Sequence, residues 1–240
     1  MSKSIVKLLP AVALLCAGAI ADASPAVNLG LVIDSSGSIG TSNFNIVKSG
    51  YASALASLPT DGSVAIAVDD FSSNGQSTIF PDLVISNTAD LASLINFVNG
   101  MPYYGGLTAL SDAILNTGSS MFGANVGAAK SIIDVSTDGG DNDSTFSLGT
   151  HAASLAAIGS YGINEVNCLG IGTYADCSLQ AGTGSFSYPN VSYADFPTIL
   201  ATKIKREVYG VPEPGPLPLF AVGLAAVGLL ASRRRRSPSP

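Results

Sequence analysis

Residues 27–38 read VNLGLVIDSSGS, an apolar run that ends in a short cluster of polar side chains. The apolar part has the length of a buried strand, and a helical pattern follows at 43–58. Because alternate residues of an extended segment point the same way, the carboxylate of Asp34 and the hydroxyls of Ser36 and Ser38 can converge on one point. Oxygen ligands of this kind suit a hard cation, magnesium or calcium. A polar turn that caps the next helix is the alternative interpretation.

Strand and helix patterns alternate along the rest of the segment 24–209. Apolar runs recur at 64–68, 131–135 and 163–171, and helical patterns at 89–98, 107–121, 148–158 and 196–208. This alternation predicts one doubly wound α/β domain with a mostly parallel central sheet flanked by helices. Residues 78–85 contain Pro81, which cannot serve in a central ladder, so they are expected at the sheet edge or in a hairpin.

Two further polar motifs lie at the ends of predicted elements. Thr108 belongs to GGLTAL, just before a predicted helix, and Asp138 belongs to STDG, just after a predicted strand. In open α/β sheets, ligands bind in the crevice at the carboxyl ends of the strands, where both motifs are expected. The sequence therefore predicts one metal site with five ligands: Asp34, Ser36, Ser38, Thr108 and Asp138.

In order and spacing, these five positions resemble the metal-ion-dependent adhesion site of the von Willebrand factor A (VWA) family, and the similarity covers 26–209. The resemblance implies a Rossmann-like VWA fold and a bound Mg²⁺, with Ca²⁺ or Mn²⁺ as alternatives. It further implies octahedral coordination, partly through water, with one position left for an acidic side chain of a partner. The implied function is an exported, metal-dependent binding or adhesion module whose partner, a protein or an exopolysaccharide, presents a carboxylate.

Five other acidic residues have competing interpretations. Asp141 and Asp143 are expected in a solvated acidic turn, with a second calcium site as the alternative, because their spacing fits no twelve-residue calcium loop. Asp69 and Asp70 close the second apolar run and are expected in a strand-end turn, and the alternative is that one of them orients a metal-bound water. Asp134 lies inside an apolar strand, so a hydrogen-bonded structural role is expected.

The first 23 residues have the layout of a secretory signal peptide. Lys3 and Lys7 precede an apolar run at 8–20, and a small-residue triplet ends at Ala23, where cleavage is expected. A buried N-terminal helix is the alternative interpretation.

The segment 210–240 combines a proline-rich motif, an apolar stretch and a basic tail. Pro-Glu-Pro stands at 212–214, an uncharged stretch at 216–232, and four arginines open the tail at 233–240. As a helix, the apolar stretch would reach about 25 Å, near the lower limit for a transmembrane span. This order resembles the PEP-CTERM sorting signal of exopolysaccharide-producing bacteria. The resemblance implies a transient inner-membrane anchor, cleavage by an exosortase-type enzyme, and a final location at the cell surface or in the extracellular matrix; a permanent single-pass anchor is the alternative.

The segment between these two ends is strongly acidic. Residues 24–213 hold five basic and sixteen acidic residues, a net charge of −11, whereas the whole chain carries −6. Such a surface repels phosphate backbones, so nucleic acid is not an expected partner.

Two cysteines, Cys168 and Cys177, remain after removal of the signal peptide. Because disulfides persist in exported proteins, the two are expected to be joined. Zinc ligation is the alternative, but two thiols and one distant histidine do not complete a four-ligand site.

The sequence lacks the signature of a hydrolase. His151 is the only histidine, and the chain contains no Gly-x-Ser-x-Gly motif. No cluster of Arg and Lys that could clamp a phosphate accompanies the five ligands. A non-enzymatic binding module is therefore expected. A structural, exopolysaccharide-associated matrix protein without metal-dependent binding is the first alternative, and a metal-assisted hydrolase is the second.

Overall fold

The computed structural model describes residues 24–145 and 149–210. Within them, six strands form one sheet in the order β3-β2-β1-β4-β5-β6. The strands are β1 (Val27–Asp34), β2 (Val64–Phe71), β3 (Ser77–Val84), β4 (Lys130–Thr137), β5 (Glu165–Ile171) and β6 (Ser187–Val191). The helices of the same residues are α1 (Thr41–Leu55), α2 (Thr88–Gly100), α3 (Leu110–Ala124), α4 (Thr150–Tyr161) and α5 (Phe196–Tyr209).

The sheet is mostly parallel. The five strands β2, β1, β4, β5 and β6 run parallel to one another. The remaining strand, β3, pairs antiparallel with β2 at one edge of the sheet. Pro81 lies in β3, where the absence of a backbone N–H is tolerated because the strand is at the edge. The predicted α/β architecture and the predicted edge position of residues 78–85 are both confirmed.

Helices cover both faces of the sheet and create two apolar cores. On one face, α1, α2 and α5 pack on the sheet through residues such as Phe44, Leu94 and Leu200. On the other face, α3 and α4 pack through residues such as Ile114 and Ala157. Every residue of β1 is buried, as expected for a central parallel strand covered on both sides. The carboxyl ends of β1, β2, β4 and β5 therefore open at one common edge, between the helix layers.

A buried group of charged side chains joins α5 to β4. Asp134 forms an ion pair with Lys203, and Lys203 also donates to Glu207 at 2.7 Å. Asn167 donates to the same Glu207 carboxylate at 2.9 Å. Burial and the charge of Asp134 raise the pKa of Glu207 to about 8. Asp134 thus has the structural role expected from the sequence, although its partner is a lysine ammonium.

The predicted disulfide is present between Cys168 of β5 and Cys177, with their Cα atoms 5.5 Å apart. It closes a short loop and ties the segment after β5 back to the strand.

No helix within residues 24–145 and 149–210 is long and apolar enough to cross a membrane. The predicted signal peptide at 1–23 and the predicted sorting segment, with its parts at 212–214, 216–232 and 233–240, lie outside the described residues.

Some boundaries differ from the sequence expectations. The short strand β6 was not predicted, because only Val191 of its residues is buried and it carries no alternating pattern. The strand β2 is longer than its apolar run, so Asp69 and Asp70 lie inside a buried strand and not in a turn. The helix α3 begins at Leu110, which leaves Thr108 in the loop before it.

Candidate metal centre

Asp34 is the last residue of β1, and its carboxylate is held on both oxygens. The backbone N–H of Ser36 donates to Oδ1 at 2.8 Å, and the hydroxyl of Thr137 donates to Oδ2 at 2.6 Å. The Asp34 side chain is almost completely buried. Its orientation at the carboxyl edge of the sheet is therefore fixed by the turn after β1 and by the end of β4.

A chain of contacts links the predicted hydroxyl ligands to Asp138. The Ser36 and Ser38 hydroxyl oxygens lie 3.2 Å apart, and Ser38 donates to Oδ1 of Asp138 at 2.5 Å. The phenol of Tyr193, from the loop between β6 and α5, donates to Oδ2 of Asp138 at 3.2 Å. Four of the five predicted ligands thus lie close together between the ends of β1 and β4.

Thr108 is placed at the same edge by backbone contacts. Its N–H donates to the side-chain carbonyl of Asn142 at 2.8 Å, and its own carbonyl accepts the N–H of Asn142 at 2.9 Å. Two residues earlier, the carbonyl of Gly106 accepts the N–H of Gly37 at 2.9 Å. These bonds tie the Thr108 loop to the other two loops of the candidate site. No hydrogen bond among the described residues joins the Thr108 hydroxyl to the other four predicted ligands.

The electrostatics of this edge favour a cation. Burial raises the pKa of Asp34 above its usual value, hydrogen bonds from Ser36 and Thr137 partly oppose the rise, and the charge of Asp138 adds to it. Burial also raises the pKa of Asp70 to about 7, and the charge of Asp34 contributes. Within residues 24–145 and 149–210, no Lys or Arg forms an ion pair with these carboxylates. A divalent ion would supply the missing positive charge.

The acidic residues after Asp138 hold the loop and do not form a second cluster. Asp141 accepts the N–H and hydroxyl of Ser111 on one oxygen, and those of Ser144 on the other. Asp143 accepts the N–H of Asn74 at 2.8 Å. In the described part of the chain, no group of three or more Asp, Glu, His or Cys side chains could hold a metal ion. The candidate site accordingly depends on two carboxylates supplemented by hydroxyls.

Residues 25–212 match a family described as "Protein of unknown function (DUF1194)". The chain belongs to this family. No curated protein matches the chain.

Solved structures show which fold this DUF1194 chain resembles. It is similar to the pilus adhesin SpaC from Lactobacillus rhamnosus GG, with 18% identity and a TM-score of 0.60 over 77% of this chain and 30% of that one. It is also similar to proximal thread matrix protein 1 from the mussel byssus, whose structure is described with a zinc-occupied MIDAS motif. The identity is 18% and the TM-score is 0.60, over 78% of this chain and 48% of that one. A von Willebrand factor type A protein from Catenulispora acidiphila has 20% identity and a TM-score of 0.59, over 78% of this chain and 43% of that one.

These likenesses establish the fold of the DUF1194 chain as VWA-like, in agreement with the resemblance of its sequence. The chain spans less than half the length of each of these three proteins. The role of the five positions as metal ligands stays a prediction.

Two residues of the site were not predicted from the sequence. Thr137 stands beside Asp138 in the STDG motif, so a hydroxyl next to a predicted ligand was an available signal. Tyr193 follows Asp138 by 55 residues, and an isolated tyrosine carries no spacing signal. Both hold carboxylates of the site from outside the predicted ligand set.

Proposed function

We propose that this chain is an exported, divalent-metal-dependent binding module of the bacterial envelope or extracellular matrix. The observation that carries the proposal is the meeting of two carboxylates and two hydroxyls, from Asp34, Asp138, Ser36 and Ser38, at one edge of the sheet. Thr108 is proposed as the fifth ligand. Mg²⁺ is the expected ion, with Ca²⁺ or Mn²⁺ as alternatives, because every donor is an oxygen.

The ligand set determines what the bound ion would do. Two carboxylates neutralise a divalent ion, and the hydroxyls add no charge, so the ion retains its attraction for a carboxylate of a partner. The Ser38 hydroxyl gives its proton to Asp138, so the hydroxyl of Ser36 is the donor in the contact between the two serines. Lone pairs on both hydroxyl oxygens therefore remain for a cation.

Neighbours in fold support a binding role. One is a pilus adhesin, and another is a thread matrix protein with a zinc-occupied MIDAS motif. Fold alone does not fix function, so the partner is inferred from the chemistry of the site. We infer a protein or an exopolysaccharide that presents a carboxylate.

The location is inferred from the sequence of the two ends. The segment 1–23 would direct export, and the segment 210–240 would hold the protein in the inner membrane until an exosortase-type enzyme cuts it. The domain would then act at the cell surface or in the extracellular matrix.

Binding, and not catalysis, is proposed because, within residues 24–145 and 149–210, no histidine lies beside the five positions, and Asp70, whose pKa is raised to about 7, is fully buried. His151 lies on α4, and its Nδ1 contacts the backbone carbonyl of Ser178 at 3.0 Å. A structural matrix protein without metal dependence and a metal-assisted hydrolase are the two alternatives that an experiment must separate.

Retention of a polyuronate on the immobilised full chain tests the proposal. We expect retention in Mg²⁺, release by chelator, and no retention of the same polymer after its carboxyl groups have been reduced. Asp138→Ala should abolish retention, whereas Asp61→Ala, which removes an exposed carboxylate before β2, should preserve it. An acidic protein in place of the polymer tests the other partner class.

The two alternatives give different results. Retention that is equal in Mg²⁺ and in chelator would favour the matrix protein without metal dependence. Shortening of the polymer during contact would favour the hydrolase.

A further inference from the structure

A polar cavity of about 190 Å³ lies between α3 and the turn from β2 to β3. Its lining includes Asp69 in β2, Gln76 in the turn, and Asp112 and Asn116 on α3. Among the described residues, no Lys, Arg or His lines the cavity. Its donor set is therefore rich in oxygen and carries negative charge.

Asp69 is the feature of this cavity that the rest of the fold does not explain. Its side chain is 1% exposed, and within residues 24–145 and 149–210 neither carboxylate oxygen has a hydrogen-bond partner. Its neighbours on the same face of β2, Ala67 and Phe71, pack in the core beneath α3, so Asp69 faces α3. Burial raises the pKa of Asp69 to about 7, and the nearby hydroxyl of Thr117 opposes the rise without a direct bond. A buried, unpartnered carboxylate is costly and requires an explanation.

A second carboxylate is fixed in the same cavity. Oδ2 of Asp112 accepts the backbone N–H of Thr145 at 2.8 Å and its hydroxyl at 2.9 Å. Asn116 follows Asp112 by four residues on α3, so both side chains lie on one face of the helix. Two carboxylates and the side-chain amides of Asn116 and Gln76 thus line the same cavity.

We propose that this cavity is a second cation site, separate from the candidate metal centre, and that it takes a calcium ion through Asp69, Asp112, amide oxygens and water. Calcium accepts six to eight oxygen ligands in irregular geometry, including carboxylates, amide carbonyls and waters, whereas magnesium requires a nearly ideal octahedron. One water fills about 30 Å³ of liquid, so the cavity has room for an ion with several waters.

The ion would stiffen the binding edge of the molecule. The carbonyl of Ser72, in the turn that lines the cavity, accepts the N–H of Ala109 at 2.8 Å. Ala109 also lines the cavity and follows Thr108, the predicted fifth ligand of the metal centre. The N–H of Asn74, in the same turn, donates to Asp143 of the loop after Asp138. A calcium ion bound here would therefore hold two of the three loops of the candidate metal centre.

Calcium titration of the full chain carrying Asp34→Ala tests the site, because that substitution disables the candidate metal centre. We expect one calcium ion to bind in this background. Adding Asp69→Asn should weaken its affinity by at least about tenfold. Adding Asp82→Asn should leave the affinity unchanged: Asp82 is also a partly buried carboxylate on the sheet, but it accepts a hydrogen bond from Asn28 and does not line the cavity.

Thermal melting distinguishes a cation site from a purely structural role for Asp69. In chelator, Asp69→Asn should melt at a higher temperature than its parent, because it removes an unpartnered buried charge. Calcium should raise the melting temperature of the parent and not that of Asp69→Asn.

The proposal is overturned if the Asp34→Ala chain binds no calcium, if Asp69→Asn binds it as tightly, or if only an organic cation such as spermidine binds. Loss of magnesium binding by Asp34→Ala is a separate result, so failure of the metal centre and failure of this site can be told apart.

Discussion

Tyr193 holds the carboxylate of Asp138 from a distant part of the chain. Its phenol donates to Oδ2, and Ser38 donates to Oδ1, so both carboxylate oxygens of Asp138 accept a hydrogen bond. Burial and the charge of Asp138 raise the pKa of Tyr193 well above its usual value, and the phenol therefore remains a neutral donor at physiological pH. Partners that orient a metal-ligating side chain typically change metal affinity by about 10- to 100-fold.

The substitution Tyr193→Phe should therefore weaken Mg²⁺ binding by about tenfold while the fold is preserved. The ring stays in place to pack against the core, so the melting temperature in chelator should change little. Calorimetric titration of the variant and the parent measures the effect. Tyr209→Phe is the matched control, because Tyr209 is 62% exposed on α5. Equal Mg²⁺ affinity in Tyr193→Phe and the parent would remove Tyr193 from the site.

At the scale of elements, α5 is fixed to the sheet by charge as well as by apolar packing. Phe196, Leu200 and Ile204 bury its apolar face, and Lys203 lies in the same interface with no exposed surface. Burial and the charge of Asp134 raise the pKa of Glu207, and the ammonium of Lys203 pairs with both acidic side chains. These charges are paired and hydrogen-bonded to one another, which is the condition under which buried charges are tolerated.

The substitution Lys203→Met should destabilise the domain by about 3–5 kcal/mol, because it leaves the carboxylate of Asp134 buried without its partner. The apolar side chain of methionine keeps most of the packing volume. The loss of stability therefore measures the effect of removing the positive charge. Free energies of unfolding from denaturant titration at pH 7 measure the effect. Lys205→Met, an exposed position on the same helix, should change stability by less than about 0.5 kcal/mol. A Lys203→Met loss as small as that of Lys205→Met would show that the ion pair does not anchor α5.

At the scale of the whole molecule, the order of elements could be read from the sequence, because central parallel strands are buried on both faces. The runs at 27–33 and 131–135 are mostly apolar on both faces for that reason, with Asn28, Ser131 and Asp134 as exceptions, and they became β1 and β4. The closeness of Asp34, Ser36 and Ser38 was also predicted, although the two serines lie in a turn after β1 and not in the extended segment on which the prediction was based.

Features that depend on distant pairings could not be predicted. The strand β6 exists because β5 offers an edge, and its own residues are mostly exposed. The hydrogen bond from Tyr193 to Asp138 forms only when the loop before α5 folds over the ends of the strands. The cavity at Asp69 likewise requires α3 to cross β2, a relationship that no local pattern encodes.

The two ends of the sequence carry a prediction about the fate of the whole chain. Lys3 and Lys7 would stay in the cytoplasm while the domain is exported, and the arginines at 233–236 would keep the other end there too. The stretch 216–232 reaches only about 25 Å as a helix, against about 30 Å for a hydrocarbon core. Such a span is sufficient to pause the chain but is a marginal permanent anchor.

We therefore expect cleavage at 212–214 and release of the domain in a bacterium that has an exosortase. Peptide mapping of membrane, surface and medium fractions locates the new end of the chain. Replacing Pro212 and Glu213 by alanine should keep the full-length protein in the membrane, whereas replacing Pro216 and Pro218, two prolines outside the motif, should leave processing intact. Recovery of the parent only in membranes, with its arginine tail, would contradict release. Unchanged processing after the loss of Pro212 and Glu213 would instead mean that the enzyme recognises a different part of the tail.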